Sequence, residues 1–348
     1  MVKSWIFEFL HAPDAPGADV QPQAAAAAFA HGLSVWRDAE RLGYEGIFFS
    51  EHHFGLSYSP APNLLIAAIA QHTTRLRLGT MGMVLPFYQP WRVLEEIAVL
   101  DHLTGGRLEI GCASGVPQEL IQIGMAMDEV RERFDEALDI VDAGLAEPVI
   151  SHEGKYWRFE NLKILPRPLQ QPSPPKWTTV VSDRSARKSA GRGSKICTAF
   201  QSVDRIAAIF DAYRDEADRR GITVGPGQLA IRRNISIART AERAREIARN
   251  ARHAAEKVLA GDFRVGTAKT DLLDAPKAGA GFSMHDDEFV AGTPAQVAEQ
   301  VVEQCRACGA GHFLGIFGRG SGAGHADMVT LFAEEVMPVL RRAWRQQA

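Results

Sequence analysis

Four cysteines in 348 residues are too few for a disulfide framework, and their placement suits a reducing compartment. Cys112 and Cys197 fall inside apolar runs, where cysteine serves as a small buried residue. Cys305 and Cys308 form a Cys-x-x-Cys late in an amphipathic helix, with no second pair to complete a zinc site. Long hydrophobic runs are also missing. No segment approaches the roughly 20 apolar residues that span a bilayer, and Ala24 to Ala30 is only an alanine-rich helix start, so no membrane association is expected. The opening residues Met1 to Trp5 carry no signal-peptide core, and a cytoplasmic location is the expectation. A basic excess is absent too. The formal net charge is -3 and the arginines are scattered, which argues against a nucleic-acid partner. No Gly-x-Ser-x-Gly elbow is present, so a serine hydrolase finds no support.

What is present is an ordinary globular composition, 46% hydrophobic and 23% charged, with ample material for a large core. Apolar runs alternate with helical periodicity nearly to the end. Strands are predicted at Trp5 to Leu10, Gly46 to Ser50, Leu76 to Met81, Arg107 to Cys112, Trp177 to Val181, Ile196 to Ala199, Leu229 to Ala238 and His312 to Phe317. Helical spacing follows each, for instance Ala24 to Leu42 with a stop at Gly43, and Asp128 to Leu145. The expected fold is α/β, a single (β/α)8 TIM barrel over residues 1–348, with an open doubly wound sheet as the alternative. Two insertions interrupt the alternation. His152 to Pro175 reads as a hairpin and extended loop after the fourth helix, and Gly261 to Gly292 as a lid-like excursion after the seventh strand, including the acidic Asp286-Asp287-Glu288.

In a parallel barrel the loops after the strands share one mouth, so polar residues there are site candidates. Glu51-His52-His53 ends the second strand abruptly. Imidazoles titrate near neutrality and suit proton transfer, although a strand-capping His and a loop His would read the same. Neighbouring histidines point to opposite sides of an extended chain, and no metal is expected. Ser182-Asp183-Arg184-Ser185 opens a helix after the fifth strand. Free backbone N–H groups, two hydroxyls and a guanidinium suit a phosphate there; simple N-capping is the other reading. The glycine-rich stretch after the eighth strand, 318–322, lacks the Gly-x-Gly-x-x-Gly spacing and reads as a loop. Glycines 79 and 82 bracket Met81 at the third strand's end and permit close approach of a flat ring, or only a tight strand exit. Phe9, His11, Phe54, Tyr58, Tyr156 and Trp157 are candidate pocket aromatics or core filler.

Taken together, four passages resemble the bacterial luciferase-like flavin-dependent monooxygenases: Ser50-Glu51-His52-His53-Phe54; Leu78-Gly79-Thr80 through Val84-Leu85-Pro86; Leu100-Asp101-His102-Leu103-Thr104-Gly105-Gly106-Arg107-Leu108 with Gly111; and Leu331-Phe332-Ala333-Glu334-Glu335-Val336-Met337-Pro338. The resemblance implies a (β/α)8 barrel, reduced FMN from a separate NAD(P)H-dependent flavin reductase, and oxygen activation as a flavin C4a-hydroperoxide that oxidises a small organic substrate. Some relatives use F420 for hydride transfer instead. It also implies a catalytic role for His52, a non-proline cis peptide at Met81-Gly82 under the flavin, phosphate contacts from Ser182, Arg184 and Ser185, and a homodimer built on the early helices. Where luciferases place an arginine toward the phosphate this chain has Ser114, which leaves Arg184 as the substitute and a non-catalytic flavin binder as a further reading.

Overall fold

Apolar runs that the sequence alternates with helices become strands whose neighbours in the sheet are their neighbours in the chain. The structure, a computed structural model, describes residues 1–12, 17, 20–54, 57–259, 284–318 and 323–345. Its strands are β1 (Lys3–Glu8), β2 (Gly46–Phe49), β3 (Arg77–Thr80), β4 (Met83–Val84), β5 (Leu108–Ala113), β6 (Val149–Glu153), β7 (Arg158–Lys163), β8 (Lys176–Thr179), β9 (Lys195–Thr198), β10 (Leu229–Ile237), β11 (Phe289–Gly292) and β12 (His312–Phe317). The helices are α1 (Pro22–Leu42), α2 (Pro62–Ala70), α3 (Pro90–Leu103), α4 (Pro117–Gln122), α5 (Met127–Ala146), α6 (Asp183–Gly191), α7 (Val203–Arg219), α8 (Ala241–Leu259), α9 (Pro294–Cys308), α10 (Ala323–Leu331) and α11 (Met337–Arg345). Proline occupies the first turn of α1, α2, α3 and α9, where its missing N–H costs nothing. Gly43 and Gly309 close α1 and α9 with positive φ, which glycine adopts without strain.

Parallel pairing runs β12-β1-β2-β3-β5-β8-β9-β10, and β10 returns to β12, so the ring closes with eight strands and the open-sheet alternative is excluded. The expected hairpin is the antiparallel pair β6–β7. The described end of the predicted excursion departs from expectation. Residues 289–292 form β11, which adds a parallel strand to the upper half of β10, pairing Asn234 with Phe289 and Ile237 with Gly292. The lower half of β10 pairs with β9 instead, from Leu229–Ile196 to Ile231–Thr198. Residues 260–283 of that excursion, and the glycine-rich stretch 319–322, lie outside the described residues. No described helix is long and apolar enough to cross a membrane.

Side chains alternate between two cores. The larger lies between ring and helices; the inner one fills the barrel with Trp5, Phe7, Phe48, Met81, Trp177, Cys197, Ala230, Leu314 and Ile316. Trp5 stacks on Phe48 at 4.7 Å between centroids, and burying each such ring contributes about 1.5–3 kcal/mol. The ring's lower end is sealed by a polar plug. Buried Glu109 accepts from Trp177 Nε1 at 2.6 Å and pairs with Arg77. Trp5 Nε1 donates to His312 Nδ1 at 2.9 Å, leaving the opposite nitrogen to donate to Gly227 O, and burial holds that imidazole down at about 3, hence neutral. The other end of the barrel is the mouth. Glycines let β3 and β5 approach there: a Cβ on Gly111 would lie 2.0 Å from Thr80 O, and one on Gly82 2.7 Å from the Cys112 carbonyl carbon.

Candidate active site

Past the end of β2, the Glu51-His52-His53 run divides as strand alternation requires. His52 faces the mouth, stacked on Phe9 at 5.1 Å, and Phe9 stacks in turn on His11 at 5.1 Å. Glu51 and His53 turn the other way. Buried Glu51 accepts from His53 Nε2 at 2.9 Å and from the Val84 amide at 3.2 Å, tying the β2 exit to the turn after β3. That hydrogen bond raises the pKa of His53 against partial burial, while burial and then the charge of Glu51 push the Tyr88 phenol up. The pair therefore ties the β2 exit to Val84, two residues past the Met81-Gly82 peptide, which is cis as the resemblance implied.

His52 has a partner that sequence reasoning missed. Its Nδ1 lies 2.8 Å from Oε1 of Glu119, a buried carboxylate on α4 whose other oxygen has no partner among the described residues. A carboxylate can only accept, so Nδ1–H donates to it, and Nε2 is the ring nitrogen left for other partners. The helix that supplies Glu119 has only six residues, too short for periodicity to reveal. Its signal was Pro117, a first-turn proline with an acid two residues later.

The seventh barrel strand contributes a second missed group. Arg232 shares the inward face of β10 with Ala230 and lies over the rings of Phe7, Phe9 and Phe200, at 5.3, 6.0 and 4.3 Å. Arg233 points outward, donating to Gln304 on α9 at 2.7 Å. Between them sits Glu288, fully buried, which receives Arg232 Nη2 at 2.8 Å and Arg233 Nη1 at 3.1 Å. Glu288 thus belongs to the barrel wall, in the fork where β10 changes partner, although the sequence groups it with the acidic cluster of the excursion.

The other predicted residues occupy the same rim. Ser182 caps α6: its hydroxyl accepts from the Ser185 amide at 3.3 Å, and Ser185 Oγ donates to Ser182 O at 2.8 Å. Both hydroxyls are engaged, as the capping reading requires. Arg184 on the first turn is exposed and makes no ion pair with a described residue, and Ser114 is exposed just past β5. His52 follows β2 and Ser182 follows β8, three strands apart around the ring. Tyr156 and Trp157 are remote from this group: Arg133 covers both rings, and Trp157 Nε1 donates to Gln89 at 2.8 Å. Cys305 and Cys308 are buried, and burial pushes both thiols up, away from thiolate chemistry.

A closed parallel barrel carrying an imidazole–carboxylate dyad and aromatic rings at its C-terminal rim has the layout of a TIM-barrel enzyme. Residues 9–312 match the luciferase-like monooxygenase family, and the chain belongs to it. It is similar to the oxygenase component of the flavin-dependent trigonelline monooxygenase of Acinetobacter baylyi, 30% identical over 199 residues, covering 50% of this chain and 55% of that protein. Across the first curated relatives the match spans between 46% and 68% of their length. Among solved structures it resembles the monooxygenase RslO1 of Streptomyces bottropensis, with a TM-score of 0.83 at 26% identity over 97% of this chain and 99% of the other. The fold is also shared with the oxygenating constituent of 3,6-diketocamphane monooxygenase from Pseudomonas putida, solved with FMN, at a TM-score of 0.77 and 22% identity over 98% and 99% of the two chains.

Proposed function

We propose that this protein is the oxygenase component of a two-component system, taking reduced FMN from a separate NAD(P)H-dependent flavin reductase and using O2 to oxidise a small organic substrate. The observation that carries the proposal is the His52–Glu119 dyad at the rim of a barrel of this family. The residues present fit the flavin. Gly82 lies flat against the β5 backbone and puts no side chain at the mouth, the buried Ser50 Oγ has no partner among the described residues, and Arg184 at the amino end of α6 makes no ion pair with a described residue. When bound, reduced FMN supplies the electrons and the activation of oxygen. The protein's own groups do the rest. Arg184 and the backbone amides of Asp183 and Arg184 would hold the phosphate, Met81 and Gly82 would support the ring, and Phe9 and His11 would keep water from the reacting face. His52 Nε2 accepts or returns a proton while Glu119 holds the ring.

An anaerobic titration comparing FMN, reduced FMN and F420 tests the cofactor, with reduced FMN expected to bind most tightly. Preference for F420 would move the reaction to hydride transfer in the same barrel. Arg184→Ala is expected to weaken FMN binding at least tenfold, since a charge-assisted hydrogen bond contributes about 1.5–3 kcal/mol, and to leave riboflavin binding unchanged. Equal affinity for the two proteins would remove Arg184 from the phosphate site.

A homodimer on the early helices is part of the same reading. Leu64 on α2 is 71% exposed, and Val99 and Leu103 on α3 stand 45% and 46% exposed, an apolar surface that water disfavours. Leu64→Glu combined with Val99→Glu is expected to convert the dimer to monomer in light scattering of a gel-filtration peak. A wild-type monomer at micromolar concentration would contradict the assignment.

A further inference from the structure

The buried guanidinium at the mouth shares its one hydrogen-bonded counter-charge with a neighbour. Glu288 already accepts four donors: Arg232 Nη2, Asn234 Nδ2 at 3.0 Å, Arg233 Nη1, and the Phe200 amide at 2.7 Å. One carboxylate therefore serves two guanidinium groups, both at least 95% buried. Arg233 finds further acceptors in Gln304 Oε1, Gln201 O at 3.3 Å and the Arg232 carbonyl. Among the described residues Arg232 donates to Glu288 alone, and its buried Nε has no acceptor there. A buried guanidinium N–H left unpaired is costly, and on an inward-facing side chain an anion entering the mouth relieves it. The surrounding surfaces are flat and apolar: Phe7, Phe9 and Phe200 lie against the guanidinium, and Phe9 carries His52 on its face.

We infer that Arg232 is a substrate-binding residue that pairs with a carboxylate on a planar, apolar organic substrate and aims it at His52. The inference rests on the oxygenase reading for the chemistry that follows, but the recognition stands on Arg232, Glu288 and the three rings. A guanidinium provides directional donors to a carboxylate, and its own face packs on aromatic rings, so one residue reads both the charge and the flat body. Specificity of this kind is strong because the alternative is a buried donor without a partner.

The test is equilibrium binding by calorimetry of two probes of equal shape, benzoate and its neutral analogue benzamide, to the full chain with and without FMN. Benzoate is expected to bind at least tenfold more tightly. Arg232→Met is expected to lower benzoate affinity to that of benzamide and leave the affinity for reduced FMN unchanged. Arg232→Lys, which keeps the charge and loses the fork, retains the fold if methionine does not, and is expected to weaken benzoate several-fold with benzamide unaffected. Equal binding of the two probes by wild type overturns the inference. So does a loss of FMN affinity in Arg232→Met that matches the loss for benzoate, which would assign the residue to the flavin. If reduced FMN fails to bind while benzoate discrimination persists, the oxygenase reading falls and the carboxylate site remains.

Discussion

Replacing His52 by alanine is expected to leave reduced FMN bound and to cut product formation about 10²–10⁴-fold, the range for losing a general acid or base. Oxygen would still be consumed, so the signature is uncoupling: hydrogen peroxide rises as product falls. The geometry gives this result a control. Glu119 touches His52 at 2.8 Å and is buried, so Glu119→Gln keeps an acceptor for Nδ1–H but removes the charge, and a smaller loss, about tenfold, is expected. Glu119→Ala frees the ring and should approach the His52 variant. The readout is the ratio of product to oxygen consumed, together with kcat and KM measured separately. A His52→Ala protein with unchanged coupling would leave the dyad a structural pair and take the proton chemistry elsewhere.

Glu288→Ala is expected to produce the largest loss of stability of any single change in the barrel wall. Removing one partner of a buried ion pair costs about 3–5 kcal/mol, because the remaining charge is left without compensation. Here two guanidinium groups would face each other, and the Phe200 amide and Asn234 would lose their acceptor as well. The expected result is a lower midpoint in urea, with activity lost in proportion to unfolding. Glu288→Gln, which keeps the acceptor oxygen, should fall between alanine and wild type. A midpoint unchanged in the alanine variant would show that other groups neutralise Arg232 and Arg233, and would also weaken the case for a carboxylate ligand.

The barrel was legible because its evidence is periodic. Each of the eight expected strands lies in the ring, and Gly43 marks a helix end where the sequence places it. The site was legible only in part. His52 could be found because an acid and two imidazoles interrupt an apolar strand at its carboxyl end. Glu119 could not, because it comes from another strand's exit and from a helix of six residues. Arg232 and Arg233 lay in view as adjacent cations within Ile231-Arg232-Arg233-Asn234-Ile235, yet period-two reasoning assigns one of two neighbours to solvent. In a closed barrel both sides are covered, and their shared counter-charge comes from Glu288, 55 residues beyond Arg233. Ser182 and Ser185 show the converse: a pattern suited to phosphate and to capping serves the cap in this structure, and the sequence has no means to separate the two.

The ring's seam has a consequence for how the chain is made. β1 is joined to β2 on one side and to β12 on the other, with Lys3 opposite His312 and the Trp5 indole donating to an imidazole 307 positions later. During synthesis β1 therefore leaves the ribosome with one edge bare, and keeps it bare until β12 has emerged. Contacts of such sequence separation form slowly, and an unpaired edge invites intermolecular association meanwhile. Yield of active protein should accordingly depend on holdase chaperones and on expression temperature more than the stability of the finished barrel would suggest.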